Sequence, residues 1–169
     1  MVTITLWLLR HFEAAAESPT GRDRDRPLTD VGQAAARSLS GAIAERNRFG
    51  PAPEIIACSP AQRTRSTAEL VFGSEVTFHD ARLYEATADD LVGIIHEMPD
   101  VSVLGVVGHN PAIAELVLGL ADPPSLDRLE AASFACPPGT LCLLSFDVAR
   151  PSEVAWGEGC LELIETPHP

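Results

Sequence analysis

The chain has no lysine: all twelve basic residues are arginine. That absence removes Schiff-base catalysis and a phosphate-loop lysine from consideration, because both need a primary amine. Cysteine is scarce and unpatterned. Cys58, Cys136, Cys142 and Cys160 form no Cys-x-x-Cys pair and stand mostly in apolar runs, which reads as reduced core residues and not as a disulfide framework or a zinc site. No apolar run reaches the roughly 20 residues of a membrane helix. The start of the chain lacks a basic segment followed by a cleavage site, so the sequence predicts a cytoplasmic protein with neither span nor leader. Positive charge is lacking too: a net charge of −12 argues against a general affinity for nucleic acid or an anionic membrane.

What is present describes an ordinary globular protein. A length of 169 residues, 46% hydrophobic and 21% charged, is enough to bury a core without disulfides or a structural metal, and predicts a single domain over residues 1–169 with no internal repeat.

Three apolar segments end abruptly at residues with chemistry. Val2 to Leu9 reads as a buried strand with apolar residues on both faces, and it breaks off at Arg10-His11. Glu54 to Cys58 reads as a second strand and runs into Ser59-Pro60-Ala61-Gln62-Arg63, while Val103 to Val107 reads as a third and runs into Gly108-His109-Asn110-Pro111. Open α/β sheets place ligand sites at the carboxyl ends of their strands. Parallel neighbours would therefore bring Arg10, His11, Arg63 and His109 to one edge.

The intervening segments supply the helices of such a fold. Thr29 or Asp30 can cap a helix whose apolar face is Val31, Ala34, Ala35, Leu39, Ala42 and Ile43, continuing to about Arg46. Ser59 reads as an N-cap with Pro60 at the first helical position, and Arg63 and Thr67 then share a face that points back across the sheet edge. Val76 to Phe78 reads as a short strand, and a helix follows from about Ala88 to Met98, with Asp89 and Asp90 as favourable charges in its first turn. Asn110 can cap a helix over Ala112 to Leu120, which Asp122-Pro123-Pro124 stops. Leu141 to Phe146 and the alternating residues around Gly157-Glu158-Gly159 read as late strands, with a hairpin at one edge. The polar loop Ala14 to Pro27, with its run Arg22-Asp23-Arg24-Asp25-Arg26, has two readings: a self-neutralising surface loop, or a lid whose arginines touch the substrate.

Two histidines and two arginines at one sheet edge, with no acidic ligand cluster, point to an anion with several equivalent oxygens. Arginine forks match phosphate bidentately, and such charge-assisted bonds are about twice as strong as neutral ones. Metal-free phosphoryl transfer needs cations around the equatorial oxygens and an in-line nucleophile. A neutral imidazole whose other nitrogen donates a hydrogen bond can be that nucleophile. His11 is assigned that role, with Arg10, Arg63 and His109 as the clamp, and no metal or other cofactor.

These blocks resemble a known family. Leu9-Arg10-His11, Ser59-Pro60-x-x-Arg63-x-x-x-Thr67, Leu83-Tyr84-Glu85 and Val107-Gly108-His109-Asn110-Pro111 are similar in identity and order to the histidine phosphatase superfamily, also called phosphoglycerate mutase-like. The compact length and the Gly-His-Asn-Pro form look most like its short branch, the SixA-type phosphohistidine phosphatases. The resemblance implies a three-layer α/β/α sandwich around a mostly parallel sheet, a covalent phosphohistidine on His11, and a phosphoryl group held by Arg10, Arg63 and His109. It also implies that Glu85 stands where many members carry the acid that protonates the leaving group.

Phe12 replaces the glycine usual after Arg-His, and a bulky residue there would narrow the site or turn a backbone amide. No insertion subdomain is evident, so the pocket is expected to be shallow and open. The reading that follows is a phosphatase acting on phosphorylated protein histidine and releasing inorganic phosphate. The alternatives are a small phosphate ester as substrate with Glu85 as general acid, or a phosphate-recognition module without turnover.

Overall fold

A computed structural model describes residues 3–45 and 48–167. Six strands form one sheet: β1 (Ile4–Arg10), β2 (Ile55–Cys58), β3 (Thr77–His79), β4 (Val103–Gly108), β5 (Leu141–Phe146) and β6 (Cys160–Glu165). Their spatial order is β3-β2-β4-β1-β5-β6. The first four pair in parallel, β5 runs antiparallel to β1, and β6 returns antiparallel to β5 at the edge. The expected α/β architecture with a mostly parallel sheet is thus the one observed. Val2 and Arg46, the expected limits of the first strand and first helix, lie outside the described residues.

Side chains alternate between the two faces of a strand, and both faces here are apolar. Leu6 and Leu8 of β1 join Leu104 and Val106 of β4 in one core, while Trp7 and Leu9 join Val107 in the other. Helices α1 (Asp30–Ala44) and α2 (Gln62–Phe72) cover the second face through Leu39, Ala68 and Val71. Helices α3 (Ala88–His96), α4 (Ala112–Leu120) and α5 (Pro123–Ala131) cover the first through Leu91, Ile95, Leu116, Leu120 and Leu129. The result is the three-layer sandwich.

Several local expectations change. In α1, Thr29 is the cap, accepting from the Gly32 amide at 3.0 Å. The buried face is Gly32, Ala36 and Leu39, while Val31 is 67% exposed. The helix is rotated because Gly32 sits against the Glu13 carbonyl, where any Cβ would collide. This contact, with the bond from Thr29 N–H to Glu13 O at 3.0 Å, docks α1 on the chain just after His11. Helix α2 begins at Gln62 after an Ala61 N-cap, so Ser59 is not its cap. Nor does Asn110 cap α4, whose N-cap is Pro111. Asp122 does more than stop α4: its side chain accepts from Ser125 N–H at 2.9 Å and caps α5, a helix not anticipated. The late hairpin pairs β5 with β6, and Val154 and Trp156 lie outside any strand. Cys58, Cys136 and Cys142 are buried as expected, but Cys160 is exposed on the edge strand. Asp89 and Asp90 lie in the first turn of α3, where Asp90 completes a capping box with Thr87.

Candidate functional site

Strand register assembles the site. Arg10 stands opposite Gly108, and Cys58 opposite Val107, so the residues that follow β1, β2 and β4 emerge at one carboxyl edge. There His11 N–H donates to Gly108 O at 3.1 Å and Ser59 N–H to Val107 O at 3.1 Å. The His11 and His109 rings meet edge to face, with centroids 5.3 Å apart. The segment before β5 braces the same turn: Gly139 N–H donates to both Arg10 O (3.1 Å) and His11 O (2.9 Å).

His11 is buried, and its Nδ1 lies 2.6 Å from the Phe12 carbonyl. A carbonyl can only accept, so Nδ1 carries the proton and Nε2 the lone pair. Burial pushes the imidazole down to about 4; the Phe12 carbonyl opposes this, and the charges of Arg63, Arg10 and Arg26 add to it. His109 is pushed down to about 3, first by burial, then by Arg63 and His11. Its Nε2 is 2.8 Å from Ser59 Oγ. Both rings are therefore neutral near pH 7.

The unfolded chain binds protons at these histidines below its ordinary value of 6.5, whereas the folded protein does so only near 4 and 3. Their effect on stability is nil above about pH 6.5 and becomes a loss as pH falls from there toward 3. Denaturant midpoints at pH 7.5 and 4.5 check this: the midpoint is expected to drop at the lower pH, and to drop less in His109→Gln.

The arginines surround this pair. Arg10 Nη1 donates to Cys136 O at 2.8 Å. Arg63 is buried, with Nη1 donating to Asp23 O at 2.8 Å and Nη2 to Asp23 Oδ2 at 3.0 Å. Arg26 pairs with Asp23 Oδ1 at 3.3 Å. Among the described residues, six buried side-chain nitrogen or oxygen atoms have no hydrogen-bond partner. Five of the six belong to this edge: Arg10 Nε, Arg26 Nε and Arg63 Nε, which are donors, His109 Nδ1, whose role follows the tautomer, and Asn110 Oδ1, an acceptor. Buried donors left unsatisfied cost about 1–3 kcal/mol each, and three arginine Nε–H groups beside a neutral imidazole are chemically suited to an anion.

Phe12 does not narrow the site. Its ring is buried in the α1/α2 core and lies against Gly139, a glycine at φ 83° that leaves no room for a Cβ. Of the two effects expected of it, the backbone one is closer to what is seen: its N–H donates to Thr67 Oγ1 at 3.1 Å, and Thr67 Oγ1 donates on to Arg63 O at 2.8 Å.

The sequence-derived residues Arg10, His11, Arg63 and His109 are all brought together. Glu85 is exposed and makes no such bond, but it shares a cavity of about 170 Å³ with Tyr84, His109 and Asn110. Sequence reasoning missed Ser59 and Asn110, which it read as helix caps; Asn110 Nδ2 instead donates to Cys136 O at 3.0 Å. It also left open the loop that carries Asp23 and Arg26. Neither loop reading describes it fully: Arg22 and Arg24 are exposed, and Asp23, though half-exposed itself, bonds Arg63 and pairs with Arg26. The expected shallow, open pocket is accordingly spanned on one side, because Tyr84 OH donates to Asp23 Oδ2 at 2.8 Å.

A neutral, oriented imidazole with guanidinium groups beside it at the carboxyl edge of an α/β sheet is an arrangement chemically suited to a phosphate group. Residues 6–102 match the model of the histidine phosphatase superfamily (branch 1), and the chain belongs to that superfamily. It is similar in structure to the putative phosphohistidine phosphatase SixA from Nakamurella multipartitia, with a TM-score of 0.85 and 28% identity, covering 99% of this chain and 98% of that one. It is also similar to the putative phosphohistidine phosphatase SixA from Agrobacterium tumefaciens, with a TM-score of 0.79 and 26% identity, covering 98% and 99%. An uncharacterized chloroplastic protein of Arabidopsis thaliana is 30% identical over 119 residues, 62% of this chain. The match spans about half (53%) of that curated relative's length. Among the described residues, no helix is long and apolar enough to cross a membrane, and no three His, Cys, Asp or Glu side chains are grouped to hold a metal ion.

Proposed function

We propose that this protein is a phosphatase that works without a metal through a covalent phosphohistidine on His11, and that its substrate is phosphohistidine on a protein. The observation that carries the reading is the set of buried, unpartnered nitrogens on Arg10, Arg26, Arg63 and His109 around an imidazole whose Nδ1 is committed to the Phe12 carbonyl. That commitment leaves the Nε2 lone pair for phosphorus.

In the first step a bond forms between His11 Nε2 and phosphorus while the bond from phosphorus to the leaving group breaks. The unpartnered donors take the equatorial oxygens, where charge is spread in the transition state. In the second step water attacks phosphorus, the bond to Nε2 breaks, and inorganic phosphate leaves. Phosphohistidine protonated on its distal nitrogen departs as neutral imidazole, so it needs no acid from the protein. The SixA-named structural neighbours favour this substrate, and so does the exposure of Glu85, which offers a poorly held acid.

The test is an acid-quenched intact-mass measurement on protein incubated with an aryl phosphate in the presence of a chelator. A transient, acid-labile phosphoryl adduct is expected. Bound phosphate that never becomes covalent would instead indicate a recognition module. The second reading, a small-molecule phosphomonoesterase using Glu85 as general acid, is favoured only by the cavity that Glu85 shares with His109. Glu85→Gln separates the two. We expect turnover of alkyl phosphate, aryl phosphate and phosphohistidine alike to stay within about twofold, whereas loss of a true general acid would slow alkyl phosphates about 10²-fold or more and spare the other two.

A further inference from the structure

An arginine has two bidentate faces: the end-on face between its two Nη atoms, and the side-on face formed by Nε and one Nη. In Arg63 the end-on face is taken by a single residue, since Nη1 donates to the Asp23 carbonyl and Nη2 to the Asp23 carboxylate. The remaining side-on edge carries Nε, which is buried and has no partner. The Asp23 carboxylate is itself held in place. Tyr84 OH donates to Oδ2, Arg26 pairs with Oδ1, and the Tyr84 ring stands edge-on to His109 with centroids 5.9 Å apart.

We propose that Asp23 is a positioning residue for Arg63. It occupies the end-on face and so turns the side-on face, with its unpartnered Nε, toward an oxyanion beside His11. The inference rests on the proposed anion site but not on turnover. Asp23 does not touch the reacting atoms. It acts through Arg63, and the Tyr84 hydroxyl restrains its carboxylate, so the placement of the loop and the orientation of the guanidinium are one arrangement. Asp23 is ionised under all ordinary conditions, because the Tyr84 hydroxyl and Arg63 hold its carboxyl below the usual range.

The competing reading is that the carboxylate stands in for the substrate and blocks it, and the two differ in sign. Vanadate, a tetrahedral oxyanion, is titrated calorimetrically into the wild type, Asp23→Ala, Asp23→Asn, Arg63→Ala and the Asp23→Ala/Arg63→Ala double variant. Asp23→Ala is expected to weaken vanadate binding about tenfold, as loss of geometric restraint does. Asp23→Asn, which still offers an oxygen to Nη2, is expected to weaken it less. In the Arg63→Ala background, Asp23→Ala should change affinity by less than about twofold, because the group it positions is gone. Arg24→Ala in the same loop, with an exposed side chain, should change nothing and controls for general loop disturbance.

Tighter vanadate binding in Asp23→Ala would overturn the proposal in favour of blockade. Effects of Asp23→Ala and Arg63→Ala that simply multiply would overturn it too, and so would absence of vanadate binding by the wild type. If the wild type binds vanadate yet forms no phosphoryl adduct, the phosphatase reading fails while the Asp23–Arg63 coupling is still read from the same titrations.

Discussion

Replacing His11 with alanine is expected to lower turnover of an aryl phosphate by about 10⁴-fold or more, because a covalent route loses its nucleophile outright. The same variant should retain most of its affinity for vanadate, and that split makes the result diagnostic. Arg10, Arg26, Arg63 and His109 still present their unpartnered nitrogens when His11 is shortened. Removal of a neutral ring also takes away no charge that the anion needs. Arg63→Ala should behave in the opposite way, losing oxyanion affinity along with rate. Charge does not complicate the comparison near pH 7, since a neutral imidazole is exchanged for a methyl group and no buried charge is stranded, although the Phe12 carbonyl loses its partner. Turnover of the alanine variant within about tenfold of wild type would remove His11 from the role of nucleophile. Steady-state rates and vanadate titration on the same preparation decide the matter.

The strand ends were legible because their signal is local. An apolar run that stops at Arg10-His11, at Ser59 or at Gly108-His109 must leave the core there, and parallel pairing places those exits side by side. What pairing rules do not encode is which way a side chain turns once the strand has ended. Ser59 and Asn110 have the composition of helix caps, and each is followed by proline. Yet α2 starts two residues after Pro60 and α4 directly after Pro111, which frees Ser59 to meet His109 and Asn110 to meet Cys136 O. The phase of α1 was misread because apolar periodicity counts Val31 and ignores Gly32. The latter faces inward since only a residue without a Cβ fits against the Glu13 carbonyl.

The loop was the least legible part. Alternating Arg and Asp residues over 22–26 look self-neutralising in sequence, where every neighbour is equivalent. In three dimensions they divide by partner: Asp23, itself half-exposed, bonds Arg63 and Tyr84, and Arg26 pairs with it, while Arg22 and Arg24 are exposed with no bond to the site among the described residues. That division depends on contacts 40 and 61 residues away along the chain, which no local pattern records.

Phe12→Ala carries the largest expected effect on stability and separates packing from catalysis at the position after Arg10-His11. The Phe12 side chain is 2% exposed, within the cluster that contains Trp7, Leu28, Leu39 and Leu141. Truncating a buried phenylalanine costs about 3–5 kcal/mol through lost transfer energy and the cavity left behind. At roughly 2–4 °C per kcal/mol for a chain of this size, the thermal midpoint should fall by about 6–20 °C. The bonds that orient His11 use only the backbone of Phe12: its carbonyl takes His11 Nδ1–H and its amide gives to Thr67 Oγ1, and both survive the substitution. Well below the lowered midpoint, the variant should therefore keep turnover within a few fold of wild type. The alternative, that the ring forms a wall of the phosphoryl pocket, makes the opposite forecast: an unchanged midpoint with a lower KM for bulky phosphates. Thermal denaturation and KM for a small and a bulky aryl phosphate distinguish them. A buried Phe12 that carried no stability would also mean that its neighbour Gly139, held at φ 83° against the ring, is kept for some reason other than packing.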